Sequence, residues 1–197
     1  MVLLYLRGDY MTLEEMDKKV LALIEELNPD SELLTDDPDI AAKKRYVTNQ
    51  KMFELARMKK IPKYVEMEVR AGDVIEFADL EKACGYEIYQ INMVAGVKYT
   101  PKGDGTILKF LEDGTAEIDV YVYPEQITEK TSGKAYEFEL SPDALEIMPY
   151  GIAADLLLSD VSAQYGSVYT RQYETMLQRL DPRYQMTSIY IEGGVGI

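Results

Sequence analysis

The side chains of this sequence that could do chemistry are its carboxylates and a single cysteine. Asp and Glu together number 35, Cys84 stands alone, and there is no histidine. The lack of histidine excludes histidine triads, histidine general bases and histidine-ligated metals. One cysteine excludes an intrachain disulfide and a cysteine-rich zinc site. With no histidine to activate it, Cys84 is expected to be a small buried or half-buried side chain.

Three short motifs resemble functional loops but have simpler explanations. Asp36, Asp37 and Asp39 lack the glycine and the distant glutamate of a calcium loop, and they predict a helix cap. Gly103-Asp104-Gly105 lacks the lysine and the following helix of a phosphate loop, and it predicts a hairpin turn, as Ser132-Gly133-Lys134 predicts another turn. The sequence therefore predicts no catalytic, cofactor-binding or metal-binding residues and a protein that is not an enzyme. A carboxylate-only metal hydrolase and a glycosidase-like acid pair stay open, because convergent carboxylates cannot be seen in one sequence.

Charge is distributed unevenly along the chain. The formal net charge is −14, which excludes a general basic surface for gripping nucleic acid. Residues 43–63 nevertheless carry +7, from eight basic residues and Glu54, so that the rest of the chain carries −21. Patches of opposite sign favour head-to-tail association between copies, with a solvated helix surface and a local phosphate contact as alternatives. The basic residues are Lys43, Lys44, Arg45, Lys51, Arg57, Lys59, Lys60 and Lys63.

Tyrosine dominates the aromatic residues, with 16 Tyr against 4 Phe and no Trp. Tyrosine side chains tolerate half-hydrated surfaces and are common in protein interfaces. The alternative is that they lie at core edges and on strand faces, because many fall on predicted strands or helix stripes.

Two helices are predicted in the first third of the chain. Thr12 and Glu15 have the spacing of a capping box, and apolar residues then recur at helical intervals until Pro29 ends the pattern. A second helix is predicted from Pro38 to about Lys60, with a less regular apolar stripe.

Glycines and short β-rich runs predict that an antiparallel β module follows the second helix. Residues 86–93 are expected to form a strand. Residues 107–111 and 115–123 flank Asp113-Gly114, a dipeptide typical of a hairpin, and their alternation predicts a sheet with one hydrated face. The alternating apolar residues between 136 and 140 predict a last strand.

Two more helices complete the predicted fold. Helical structure is expected to return at Ser141-Pro142-Asp143, a cap followed by a turn. Pro149 is expected to start the main helix, which is largely buried, and Gly166 to mark a bend before the fourth helix. The predicted class is α+β, with a four-helix α core of two N-terminal and two C-terminal helices and an inserted antiparallel β module. The units are residues 1–61 and 141–181 for the α core, 62–140 for the β module and 182–197 for an extended C-terminal tail.

This order of elements resembles the head–tail adaptor proteins of long-tailed bacteriophages, also called head–tail connector or head completion proteins, in the form with a β insertion. The matching features are the strand at 120–124 that ends in Tyr-Val-Tyr-Pro, the re-entry into helix at 140–143, and the proline-containing helix and Asp-containing turn at 148–160. A helix with spaced aromatic residues at 165–180 follows. The resemblance covers most of residues 12–181.

The resemblance implies a structural protein of the virion, assembled in the host cytoplasm, that forms a ring adaptor. The implied partners are the portal protein, a tail-side neck protein (stopper or tail terminator) and further copies of the chain, about twelve in a closed ring. Double-stranded DNA is expected to pass through the channel without sequence-specific binding, because acidic walls repel phosphate. No membrane partner is expected, since the most apolar late stretch, 152–158, is too short to span and contains Asp155. No cofactor is implied.

The basic segment and the C-terminal tail supply the predicted interface residues. The helices are expected to pack between subunits, and the tail to add a strand to a neighbour or to enter a portal cleft. These residues are Lys43, Lys44, Lys51, Arg57, Tyr184, Ser188, Ile189, Tyr190 and Ile191. The alternatives are a tail-completion or stopper protein of the same virion neck, a monomeric cellular adaptor that binds a basic partner, and the carboxylate-metal hydrolase.

Overall fold

The structure, a computed structural model, describes residues 11–27, 38–158 and 163–180. Within these ranges the chain forms five α-helices and two three-stranded antiparallel sheets, which confirms the α+β class. The helices are α1 (Leu13–Leu27), α2 (Pro38–Lys59), α3 (Phe77–Cys84), α4 (Pro142–Leu158) and α5 (Ala163–Leu180). The strands are β1 (Ile61–Val69), β2 (Val74–Glu76), β3 (Ile88–Ala95), β4 (Tyr99–Lys102), β5 (Ile107–Phe110) and β6 (Gly114–Val122).

The first turn of α1 contains the predicted capping box. The backbone N–H of Glu15 donates to Thr12 Oγ1 at 3.2 Å, and the backbone N–H of Thr12 donates to Glu15 Oε2 at 2.8 Å. Two backbone donors at the start of the helix are thus satisfied within the chain. The apolar stripe then buries Met16, Val20 and Ile24.

Helix α4 lies at the centre of the helical part of the molecule. Helices α1, α2 and α5 each pack against it, and buried residues of all four helices form one apolar cluster. Met148, Ile152 and Ala153 of α4 have no exposed surface, as expected for a helix covered on most sides. Each fully buried large apolar side chain contributes about 1.5–3 kcal/mol relative to an exposed one, so these contacts hold the four helices together.

The return to helix predicted at Ser141-Pro142-Asp143 is confirmed, but the predicted start of the main helix at Pro149 and the predicted bend at Gly166 are wrong. Helix α4 begins at Pro142, with the N–H of Leu145 donating to Ser141 O at 3.0 Å, and Pro149 lies inside it. The hydrogen bond that Pro149 cannot donate is offset by the burial of α4. Gly166 lies within α5, which already begins at Ala163, and therefore does not precede that helix.

The β module consists of two sheets around a second apolar cluster. One sheet has the strand order β1-β6-β3 and the other β2-β5-β4. In the first sheet the central strand β6 buries Ile118, Val120 and Val122 completely, which confirms the predicted alternation. A turn at Gly103–Gly105 joins the paired strands β4 and β5, as its glycines predicted.

The hairpin predicted at Asp113-Gly114 is wrong. Strands β5 and β6 belong to different sheets, although only residues 111–113 separate them. The carboxylates of these residues bind distant backbone instead of closing a turn: Asp113 Oδ1 accepts the N–H of Ala71 at 2.7 Å, and Glu112 Oε1 accepts the N–H of Lys98 at 2.9 Å. The backbone hydrogen bond to Lys98 is also the main cause of a lowered pKa of Glu112.

The last predicted strand is also wrong, and α3 was not predicted. Residues 136–140 form an extended segment beside the start of α1, with an isolated bridge between Thr12 and Glu137. Phe138 and Leu140 belong to the helical cluster, and their alternation reflects that packing. Residues 133–135 form the predicted turn, and Cys84 is half-buried as expected.

Candidate functional site

The structure places the basic residues of α2 in contacts within the chain. Lys44 Nζ lies 2.8 Å from Asp17 Oδ2 of α1, and Lys43 Nζ donates to the carbonyl oxygen of Leu156 in α4 at 3.1 Å. Arg45 pairs with Glu129 at 3.0 Å. These bonds fasten α2 to its neighbours on three sides.

Lys51 is the most buried of the four predicted interface residues that the structure describes. Its side chain is 11% exposed, and its ammonium lies 3.0 Å from Asp155 and 3.6 Å from Glu54. The ammonium also lies 4.9 Å from the ring centroid of Tyr173, whose hydroxyl donates to Glu54. Burial and then the Glu54 carboxylate raise the pKa of Tyr173 well above its ordinary value. The site is an internal ion-pair network between α2, α4 and α5.

The C-terminal end of the basic segment joins the helices to the β module. Arg57 donates from Nε to the hydroxyl of Tyr123, and its guanidinium lies 5.2 Å from that ring centroid. Lys59 pairs with Asp143 at the start of α4. Lys63 Nζ lies 3.1 Å from Glu139 Oε2. The segment that carries +7 in the sequence is thus largely neutralised inside the subunit.

An interface role for Lys43, Lys44, Lys51 and Arg57 stays a prediction. The structure brings these four residues together along one helix, with the contacts just described. The other predicted interface residues, Tyr184, Ser188, Ile189, Tyr190 and Ile191, lie outside the described residues, as do Asp36 and Asp37 of the predicted helix cap.

Sequence analysis missed an acidic surface on the β1-β6-β3 sheet. We call it the acidic sheet face, and its members share the hydrated side of the three strands. Two large apolar side chains there are unusually exposed, Tyr64 at 54% and Met93 at 52%. The members are Tyr64, Glu66, Glu68, Met93, Glu117 and Asp119.

Strand register brings like charges together on the acidic sheet face. Glu66 lies directly opposite Glu117 in the β1–β6 pairing, and Tyr64 lies opposite Asp119. No cationic side chain of the described residues forms an ion pair with these carboxylates. Partial burial, followed by the Glu117 and Glu66 charges, raises the pKa of Tyr64. Opposed like charges cost up to about 1 kcal/mol, and this surface is therefore a negative patch.

The outer side of α5 has the opposite character. Arg171 and Arg179 are exposed there without an acidic partner among the described residues. With Gln172, Thr175 and Met176 they line a shallow depression of about 250 Å³. Val168 on the same helix is 47% exposed. We call the side formed by Val168, Arg171, Gln172, Thr175 and Arg179 the α5 outer face.

Neither a metal centre nor a membrane span is found in the described part of the chain. Within residues 11–27, 38–158 and 163–180, no group of three or more Cys, Asp or Glu side chains is arranged to hold a metal ion. No helix in those ranges is long and apolar enough to cross a membrane.

Comparison with known proteins gives no independent assignment. No protein-family model matches the sequence, and no curated protein is significantly similar to it. On the geometry described above, the candidate functional site consists of the two surfaces of opposite charge, the acidic sheet face and the α5 outer face.

Proposed function

We propose that the chain is a structural adaptor of a phage virion that forms a closed ring between the portal and the tail-side neck protein, and that DNA passes through the ring. The observation that carries this proposal is the internal pairing of the basic segment. Lys44, Lys51, Lys59 and Lys63 are paired with carboxylates of the same chain. The charge left for the surface of a −14 chain is therefore predominantly negative, as suits a channel that must not retain phosphate.

The two surfaces of opposite charge support head-to-tail association. Arg171 and Arg179 on the α5 outer face complement the carboxylates of the acidic sheet face, and Val168 and Met93 add exposed apolar area to each side. Contacts between two different surfaces generate rings when the rotation between subunits closes. The helical core supplies one side of this contact and the β module the other, whereas the resemblance implies packing through the helices with the β module facing outward or towards the tail.

The test is the oligomeric state with and without the portal. Native mass spectrometry and negative-stain electron microscopy of the chain mixed with the portal protein of its virion are expected to show a ring of about twelve subunits. Val168→Asp is expected to abolish the ring, because it places a charge in the contact. Leu111→Asp, at a comparably exposed apolar residue of the β module, serves as the matched control and is expected to leave the ring intact.

Two results would contradict the proposal. One is a chain that stays monomeric with the portal at concentrations well above those of assembly. The other is retention of double-stranded DNA by the isolated chain at physiological salt, because a channel lining must release phosphate. A ring that binds the tail-side protein but not the portal would instead identify a stopper or tail-completion protein.

A further inference from the structure

A cleft between the helical part and the β module has aromatic and acidic walls. Its volume is about 690 Å³, within the range of roughly 300–1,000 Å³ typical of sites for small ligands. The walls come from α2, from the segment after α3, and from the two extended segments near residues 124 and 137. The aromatic rings are Phe53, Tyr86, Tyr123 and Tyr136, and the carboxylates are those of Glu87, Glu125, Glu137 and Glu139.

One edge of the cleft already binds a cation of the chain itself. The ammonium of Lys63 lies 4.0 Å from the ring centroid of Tyr86 and 3.1 Å from Glu139 Oε2. The hydroxyl of Tyr86 donates to Glu139 at 2.7 Å. Burial lowers the pKa of Lys63, but the hydrogen bonds to Tyr86 and Glu139 outweigh it and raise the pKa overall. An aromatic ring beside a carboxylate is a favourable environment for a positive side chain.

The remaining carboxylates of the cleft have no such partner. Glu87, Glu125 and Glu137 are exposed and form no ion pair within the described residues. The lining residues include no Lys or Arg; Lys63 reaches the edge of the cleft at Tyr86 and Glu139, and Arg57 contacts Tyr123. Burial and then the charges of Glu125 and Glu139 raise the pKa of Tyr136, as expected beside uncompensated negative charge. The cleft thus offers charge and aromatic surface for more cations than the chain provides.

We propose that this cleft binds an extended segment of a partner protein through its arginine or lysine side chains. The cationic side chains of the partner lie against Tyr136 and pair with Glu87, Glu125 and Glu137, while Lys63 keeps its place over Tyr86. The cleft is concave and its walls come from four separate chain segments, so that it suits a few residues of extended peptide. This proposal does not depend on the ring, since it concerns a surface of the single subunit.

The test uses a fluorescein-labelled Gly-Arg-Gly-Arg-Gly peptide and a matched peptide with citrulline in place of arginine. Fluorescence anisotropy measures binding to the full chain and to two triple variants. The cleft variant is Glu87→Gln, Glu125→Gln and Glu137→Gln. The control variant is Asp104→Asn, Glu146→Gln and Glu174→Gln, three exposed carboxylates that belong neither to the cleft nor to the acidic sheet face. Both remove three negative charges from exposed or half-exposed positions, and circular dichroism verifies that both are folded.

The arginine peptide is expected to bind the unmodified chain, and the citrulline peptide is not. The cleft variant is expected to weaken binding about tenfold or more, because it removes three ion pairs that each contribute little but add up in one site. The control variant is expected to weaken binding less than about twofold, because its carboxylates do not contact the peptide. Equal weakening by both variants would overturn the proposal in favour of general attraction to an acidic chain. Undetectable binding of the arginine peptide at millimolar concentration would also overturn it. If spermine displaces the labelled peptide as well as the unlabelled arginine peptide does at the same concentration of positive charge, the cleft is a polyamine site and not a site for a protein segment.

Discussion

The substitution Asn49→Ala tests how the segment after the β module is attached to α2. The side chain of Asn49 is 7% exposed. Its Nδ2 donates to the carbonyl oxygen of Ile127 at 2.8 Å, and its Oδ1 accepts the N–H of Ile127 at 2.9 Å. One amide thus satisfies both backbone groups of a buried residue that lies outside any helix or strand.

The destabilisation expected from Asn49→Ala follows from the two hydrogen bonds that Asn49 makes to Ile127. Alanine removes both partners, and each buried backbone group left unsatisfied costs about 1–3 kcal/mol. Alanine also favours the helix by up to about 0.7 kcal/mol relative to asparagine. The two costs sum to about 2–6 kcal/mol, and the helix preference reduces the expected loss in the free energy of unfolding to about 1–5 kcal/mol. Asn49→Asp should be at least as destabilising near neutral pH, because it removes the donor and places a carboxylate against the Ile127 carbonyl.

Urea denaturation followed by circular dichroism measures the loss. The neighbouring Gln50→Ala is the matched control, since Gln50 is exposed on the same helix and its substitution should change stability by less than about 0.5 kcal/mol. With a slope of about 2–3 kcal/mol per molar urea, Asn49→Ala should lower the midpoint by about 0.3–2.5 M, and Gln50→Ala by less than about 0.25 M. Equal midpoints for the Asn49 and Gln50 variants would refute the argument that this amide anchors the segment.

Three more substitutions test the packing and the electrostatics. Gly96→Ala should destabilise the fold more than Gly72→Ala. Both glycines have positive φ, at a cost of about 1–2 kcal/mol for alanine, but of the two only Gly96 would bring its new Cβ into collision with a backbone oxygen, that of Thr115. Equal midpoints in urea would contradict this. Lys51→Met should lower the free energy of unfolding by about 1–3 kcal/mol, which lies between the losses on breaking exposed and buried ion pairs. In a double-mutant cycle, adding Asp155→Asn should restore part of that loss. Burial, and then two neighbouring tyrosines, raise the pKa of Tyr89 to about 12 from 10.0. The folded state therefore keeps the proton to a higher pH than the unfolded state does, and the free energy of unfolding falls as the pH rises from about 10 to about 12. Tyr89→Phe should flatten that fall in unfolding measured against pH, and an unchanged slope would contradict the assignment.

Features that depend on a few consecutive residues were predictable from the sequence. The capping box of Thr12 and Glu15 needs only their spacing, and the turn at Gly103–Gly105 needs only glycine between two β-prone runs. The buried face of β6 follows from its alternation, because side chains of a strand point alternately to its two sides. These signals are local, and the structure confirms them.

Features decided by distant partners were predicted wrongly. Asp113-Gly114 has the composition of a hairpin, but the N–H of Ala71 binds the carboxylate of Asp113, and the two strands join different sheets. Pro149 has the preference of a first helical residue, but the burial of α4 carries the helix through it. In each case tertiary contacts outweigh a local preference.

The candidate site was only partly visible in the sequence for the same reason. The excess charge of residues 43–63 can be counted, but the carboxylates that neutralise it come from α1, α4 and two other segments. The acidic sheet face depends on strand register, which brings Glu66 opposite Glu117. The alternating pattern predicts which side of β6 is hydrated but not that β1 and β3 are its neighbours, so the sequence alone does not predict the acidic sheet face.

The central position of α4 has a consequence for the order in which the subunit is made. Because α1 and α2 pack on a helix that is synthesised more than a hundred residues after the start of α2, their apolar sides leave the ribosome without a partner. Lys43 and Leu156, which bond across this junction, are 113 positions apart. The two sheets, by contrast, use one continuous stretch between Ile61 and Val122 and can fold as soon as it has emerged. Nascent chains stalled at lengths that have just brought residue 122 out of the ribosomal tunnel should therefore already protect the sheets from protease, while the helices before them remain open to cleavage until α4 and α5 emerge.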